Sequence, residues 1–164
     1  NKILEKCPRV NTTIMSTYNA LSVPSYKKLL DGVYGLKKTY GSDDRYWNSA
    51  VFLDASYLRY PTHQTVQVLP QKWSMEILQQ AQYADYLGVP LFDTKHIGYS
   101  DIEIQKIKRL YDWMISADDK NAINRQRYNF GKFFKEHDIR RGTNFKETFP
   151  EFAEFYDDCQ RIKL

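Results

Sequence analysis

Val10-Asn11-Thr12-Thr13-Ile14-Met15, followed by Ser16-Thr17-Tyr18-Asn19-Ala20-Leu21-Ser22, is the stretch on which the fold class turns. Its first six residues are rich in β-branched side chains, which suit a pleated backbone, and they read as a strand. The next seven read as a polar turn. A helix is predicted over 24–40, because Tyr26, Leu29, Leu30, Val33, Leu36 and Tyr40 recur at spacings of three and four. Pro24 suits a first turn that needs no amide donor, and Gly41 suits the exit.

Working outward, residues 50–58 are extended and largely apolar, and Thr65-Val66-Gln67-Val68-Leu69 reads as a further short strand stopped by Pro70. A helix is predicted over 71–87, with Ile77, Leu78, Ala81, Ala84 and Leu87 on one side and Gly88-Val89-Pro90 at its end. Strands alternating with helices predict βαβ units around a parallel sheet. Beyond residue 90 the pattern is helical. Ser100-Asp101-Ile102-Glu103 is a capping box, in which hydroxyl and carboxylate satisfy free amides at a helix start. Another helix is expected from near Asp118 past Phe130, Phe133 and Phe134. Thr148-Phe149-Pro150-Glu151, a second capping box with Pro in the first turn, announces a last one. Two or three strands are too few for a self-sufficient parallel sheet, so the α/β part is expected to be a fraction of a larger one.

Aromatic residues make up 15% of the 164-residue chain, which argues against disorder. The net charge is +4, with 24 Lys and Arg interleaved with 20 acids. A nucleic-acid surface needs its cations on one face, and the densest basic stretch, from Arg125 to Arg141, also contains acids. Nucleic acid is therefore not the expected partner. Cys7 and Cys159 lie at opposite ends of the chain with no Cys-x-x-Cys pair, which excludes a zinc or iron–sulfur site built by this chain alone. Isolated cysteines and the lack of an apolar span or signal segment predict a cytoplasmic protein without membrane contact. The chain opens on Asn1 without Met, and the expectation is that it continues a longer protein.

His63, His96 and His137 form no metal pair and read as surface or capping residues. The stripe of Phe130, Phe133 and Phe134 reads as core. Asp54, inside an apolar strand, is either at a sheet edge or buried with a partner, and is a candidate site residue. Arg140 and Arg141 precede Gly142 at a predicted helix end. There they complement the helix dipole and could also bind a carboxylate or phosphate of a substrate. Gly142 suits a positive φ, and Thr143 or Asn144 could cap a short helix containing Glu147.

Arg140-Arg141-Gly142-Thr143-Asn144-Phe145-Lys146-Glu147-Thr148-Phe149-Pro150-Glu151 resembles the C-terminal tail of a group of radical S-adenosylmethionine (SAM) proteins of bacteria and phages, the twitch-type proteins with a single 4Fe–4S cluster. Residues 11–24, with Asn19-Ala20-Leu21-Ser22, are similar to a strand-to-helix passage late in their barrel. Thr65 through Pro70 is similar to the strand that closes it. The resemblance implies an α/β fold: residues 1–92 as late strands and helices of a partial (β/α)6 barrel, and 93–164 as a helical C-terminal extension.

It also implies a parent enzyme that cleaves SAM reductively and abstracts hydrogen from a substrate, using a cluster held by Cys-x-x-x-Cys-x-x-Cys. This chain lacks that motif, so it is expected to hold neither SAM nor cluster alone and not to be catalytic alone. By position, Asn19 and Ser22 would meet the ribose or amino-acid part of SAM, and Leu69 would pack near adenine. The implied partners are a missing N-terminal half or a second copy, since a half barrel exposes an apolar face and a strand edge. A helical tail over the barrel's open end also implies a peptide or protein substrate. The competing readings are a non-catalytic scaffold module and a nucleic-acid-binding domain using the helices near Arg125 and Arg140.

Overall fold

In a computed structural model, which describes residues 2–7, 10–41, 50–88 and 97–164, helix α1 (Lys2–Lys6) precedes strand β1 (Thr12–Tyr18). A 3-10 turn (Ala20–Ser25) leads into α2 (Tyr26–Tyr40), and strand β2 (Val51–Tyr57) then pairs parallel to β1, Thr12 opposite Val51 through Tyr18 opposite Tyr57. Helices α3 (Lys72–Tyr86), α4 (Asp101–Ile115) and α5 (Lys120–Arg141) follow. The short α6 (Phe145–Thr148), a 3-10 turn (Pro150–Phe152) and α7 (Ala153–Arg161) end the chain.

The strand–helix–strand order of residues 10–58 therefore stands, although β1 runs on through Ser16–Tyr18, expected to be turn, and Pro24 lies in the 3-10 turn rather than in α2; the partial (β/α)6 barrel does not stand. Helix makes up 69% of the described residues, and the sheet among them has two strands. The expected strand at 65–69 is instead a pair of 3-10 turns, Thr62–Gln64 and Val66–Val68. Pro61 and Pro70 bracket this stretch, and its amides are spent locally: Thr65 N donates to Thr62 O at 3.3 Å and Leu69 N to Val66 O at 3.1 Å. The Arg127 guanidinium then takes the carbonyls of Val68 (2.6 Å) and Leu69 (3.2 Å). A β-branched run held in tight turns, with most of its backbone groups engaged in this way, does not pair in a ladder.

The outer edge of β2, where a third strand would pair, is also occupied. Thr12 N donates to Ala50 O, so Ala50 faces β1, and by alternation Val51 O and Leu53 N face away from it. Lys37 Nζ donates to Val51 O at 2.8 Å, and Leu53 N donates to Glu103 Oε1 at 2.7 Å. Two side chains, one from α2 and one from α4, stand in for the neighbouring strand. On the far side of β1 no further strand pairs among the described residues, and Thr13, Met15 and Thr17 are exposed, Met15 at 82%.

Packing follows from the apolar stripes. Tyr26, Leu30 and Val33 of α2 are buried, as are Val51, Leu53 and Ala55 of β2 and Ile104, Ile107 and Leu110 of α4. Helix α4 packs on both β2 and α3. The Ser100–Glu103 capping box forms as expected.

In the last part, Asp119 caps α5, and α5 ends at Gly142 with φ +62°, as its position before a turn foretold. Asn144 caps α6, and Asp138 ties the turn by accepting from Thr143 Oγ1 and Phe145 N, both at 2.8 Å. The capping box expected at 148–151 is not formed: Thr148 Oγ1 donates back to Asn144 O, and Phe149 leads into the 3-10 turn without a side-chain cap. The rings of Phe130, Phe134, Phe145, Phe155 and Tyr156 pack together with neighbouring centroids 4.6–5.7 Å apart.

Candidate functional site

The spacing of α5 sorts its residues into two faces. Phe130 and Phe134 point into the aromatic core, whereas Asn129, Lys132, Phe133, Glu136, His137, Arg140 and Arg141 recur at three- and four-residue steps along the outer side. They line a cleft of about 600 Å³ whose remaining wall is His63, on the turn between β2 and α3. Phe133 is 41% exposed there, so the stripe read as core is split: two rings are core and the middle one is surface. Its ring lies 5.0 Å from His63 and 6.4 Å from His137. The His63 Nε2 atom is buried with no hydrogen-bond partner, and burial holds the imidazole below its ordinary pKa.

Among the described residues, Lys132, Arg140 and Arg141 form no ion pair. Cations without ion pairs around an exposed ring can receive an anion that also offers a flat face. A smaller cleft of about 290 Å³, lined by Thr62, Arg125, Gln126 and Asn129 among others, continues along the same side of α5.

The residues expected to form a site are placed in four separate locations. Arg140 and Arg141 share the α5 cleft with His63 and His137; His96 lies outside the described residues. Asn19 and Ser22 are together but engaged with each other. Asn19 Oδ1 accepts from Leu21 N (2.9 Å) and Ser22 N (3.2 Å), and Ser22 Oγ accepts from Asn19 N (3.2 Å), a capping box at the C-terminal end of β1. Leu69 is buried and borders a different cleft of about 420 Å³ with Ser74, Met114, Asn124 and Arg127. Asp54 sits half-buried beside Lys106, at 2.6 Å, in a cleft of about 250 Å³ that also contains Arg59 and Arg109. It is thus a paired carboxylate at the sheet surface.

Sequence reasoning missed Lys132 and Phe133 as site residues and Lys37 and Glu103 as buried ones. The signal for the first pair was the 129/132/133/136/140 spacing. For Lys37 it was that residue 37 continues the 26/30/33 stripe of α2.

The residues present do not fit an iron–sulfur cluster. A thiolate ligand must be deprotonated, whereas burial pushes the Cys159 thiol up to about 12, and Cys7 is exposed at the other end of the chain. No group of three His, Cys, Asp or Glu able to hold a metal occurs among the described residues. No helix among them is long and apolar enough to cross a membrane. No protein-family model, no curated protein and no solved structure matches this chain.

Proposed function

We propose that this chain is a non-catalytic, ligand-presenting portion of a cytoplasmic radical SAM protein, and that its own contribution is to hold an anionic group of a substrate or partner in the α5 cleft. The observation that carries the reading is that one segment does both jobs. Residues 140–151 bear the resemblance, and within them Arg140 and Arg141 end α5 on the cleft while Gly142, Asn144 and Phe145 lock the turn against the aromatic core. No step of SAM chemistry is assigned to any residue of this chain. A polypeptide partner, whether a second copy or another chain, is supported by β1, which has no further strand beside it among the described residues and exposes Thr13, Met15 and Thr17.

The test begins with the coding sequence ahead of Asn1. An in-frame Cys-x-x-x-Cys-x-x-Cys there, followed by SAM binding of the longer product, supports the relationship. A start codon at Asn1 with no such motif upstream removes it. Asn19→Ala in that longer product then asks whether the β1 end takes part. Unchanged SAM affinity assigns Asn19 to capping alone.

A further inference from the structure

The helix boundaries redistribute the charge of this protein. Helix α5 carries seven Lys and Arg against two acids, a net of +5, whereas the whole chain is +4. The remaining residues together are therefore at −1, and α5 holds the entire positive excess. Four of its seven cations, Arg125, Lys132, Arg140 and Arg141, line the clefts on its outer side.

The two clefts on the outer side of α5 meet at Asn129 and run from Ala122 to Arg141, about 28 Å at the α-helical rise. Along that groove Arg125, Lys132, Arg140 and Arg141 are cations without ion pairs among the described residues. Phe133 exposes its ring between them, with the His63 ring beside it and the unpartnered His63 Nε2 behind. Asn129 and Gln126 add neutral donors and acceptors. Of the acids on the groove, Asp119 is engaged in capping α5, and Glu136 is the other.

We infer that this groove binds a single-stranded nucleic acid, its phosphates on Arg125, Lys132, Arg140 and Arg141 and a base on Phe133. A row of cations tracks a phosphate backbone, and an exposed ring amid them is the platform on which an unpaired base stacks. A simple acidic peptide would use the cations and leave the ring idle. The inference rests on the α5 cleft as an anion site and is independent of the radical SAM relationship.

The experiment is fluorescence anisotropy of labelled oligothymidylate and oligouridylate with the full chain, titrated across salt concentrations. Four phosphate contacts predict a log–log salt slope near −3. Arg140→Gln with Arg141→Gln is expected to weaken binding about tenfold at low salt and to flatten the slope by roughly 1.4. Phe133→Ala is expected to weaken it about tenfold with the slope unchanged, because a stacked base carries no counterion. Lys28→Gln, an exposed charge on α2, is the control and should match the parent. All these positions are exposed, and a circular dichroism melt confirms each variant is folded. If polyglutamate competes as well as the oligonucleotide and Phe133→Ala is silent, the nucleic-acid reading falls while the anion cleft stands. If no polyanion binds at low salt, both fall.

Discussion

Lys37 and Glu103, 66 residues apart in sequence, form an ion pair in the core, with Lys37 Nζ 2.9 Å from Oε1 and 3.0 Å from Oε2. Their side chains are 2% and 1% exposed. Lys37 also serves Val51 O, lies over the Tyr99 ring, and is held below the ordinary lysine pKa by burial, with Glu103 opposing. Glu103 accepts from Leu53 N, Ser100 N and Ser100 Oγ. Both charges are thus compensated, and between them they close the edge of β2.

Removing one partner strands the other in the core. Lys37→Met and Glu103→Gln are each expected to cost about 3–5 kcal/mol. The double variant should cost clearly less than the sum, since neither charge is then left alone. Urea denaturation of the four proteins measures this cycle. Additive losses would show that the pair is not coupled.

A neutral network lies at the other end of the sheet. Tyr18 OH donates to Gln80 Oε1 at 2.7 Å, and Gln80 Nε2 donates to Val23 O at 2.6 Å, all buried. Gln80→Leu leaves Val23 O without that donor and the Tyr18 hydroxyl without an acceptor, and is expected to cost about 1–3 kcal/mol. Thermal melts of Gln80→Leu and Gln80→Glu check it; an unchanged midpoint for the leucine variant would discount the network.

Burial also sets a limit at alkaline pH. It pushes the Tyr26 hydroxyl up to about 12 and raises those of Tyr18 and Tyr99 further. A raised folded pKa means the folded state favours the protonated form. Its stabilisation is complete below the unfolded value near 10 and is lost as pH rises from there through 12 and beyond. Stability should accordingly fall steadily from about pH 10 upward. Absorbance at the phenolate band should show these tyrosines titrating only as the far-ultraviolet dichroism collapses. Ionisation of all tyrosines at pH 10 with the fold intact would contradict it.

The two thiols should be distinguishable without unfolding. Cys7 is exposed, whereas Cys159 is buried against α5 and its thiol is pushed up to about 12 by burial. One equivalent of maleimide is expected to react in the native protein and a second in denaturant, with mass mapping to Cys7 first. Equal reaction rates would show that α7 opens readily.

Gly142 offers a test of the tail. Its φ of +62° disfavours a side chain, although open space surrounds the position where a Cβ would stand. Gly142→Val should therefore cost about 1–2 kcal/mol from backbone strain alone, and Gly142→Asn distinctly less. Equal midpoints for the two variants would place the helix end elsewhere.

Much of this protein was legible from local chemistry. The strands near residues 12 and 51, α2, α3, the Ser100–Glu103 box, the end of α5 at Gly142 and the Asn144 cap all follow from interactions within a few residues, which a sequence displays directly. What depended on distant partners was not legible. The run at 65–69 has strand composition, yet Arg127, some sixty positions away, takes its carbonyls and it becomes turns. The small number of strands suggested a larger sheet, but Lys37 and Glu103 occupy the outer edge of β2, and the sheet has two strands among the described residues. For the same reason the α5 site was half seen. Arg140 and Arg141 stood out by type, whereas the exposure of Phe133 and the approach of His63 required the helix to be seated. By itself the sequence determined the turns, caps and helical stripes, because those are short-range. Which faces are covered, and so which cations are left together on a groove, was decided by tertiary packing alone.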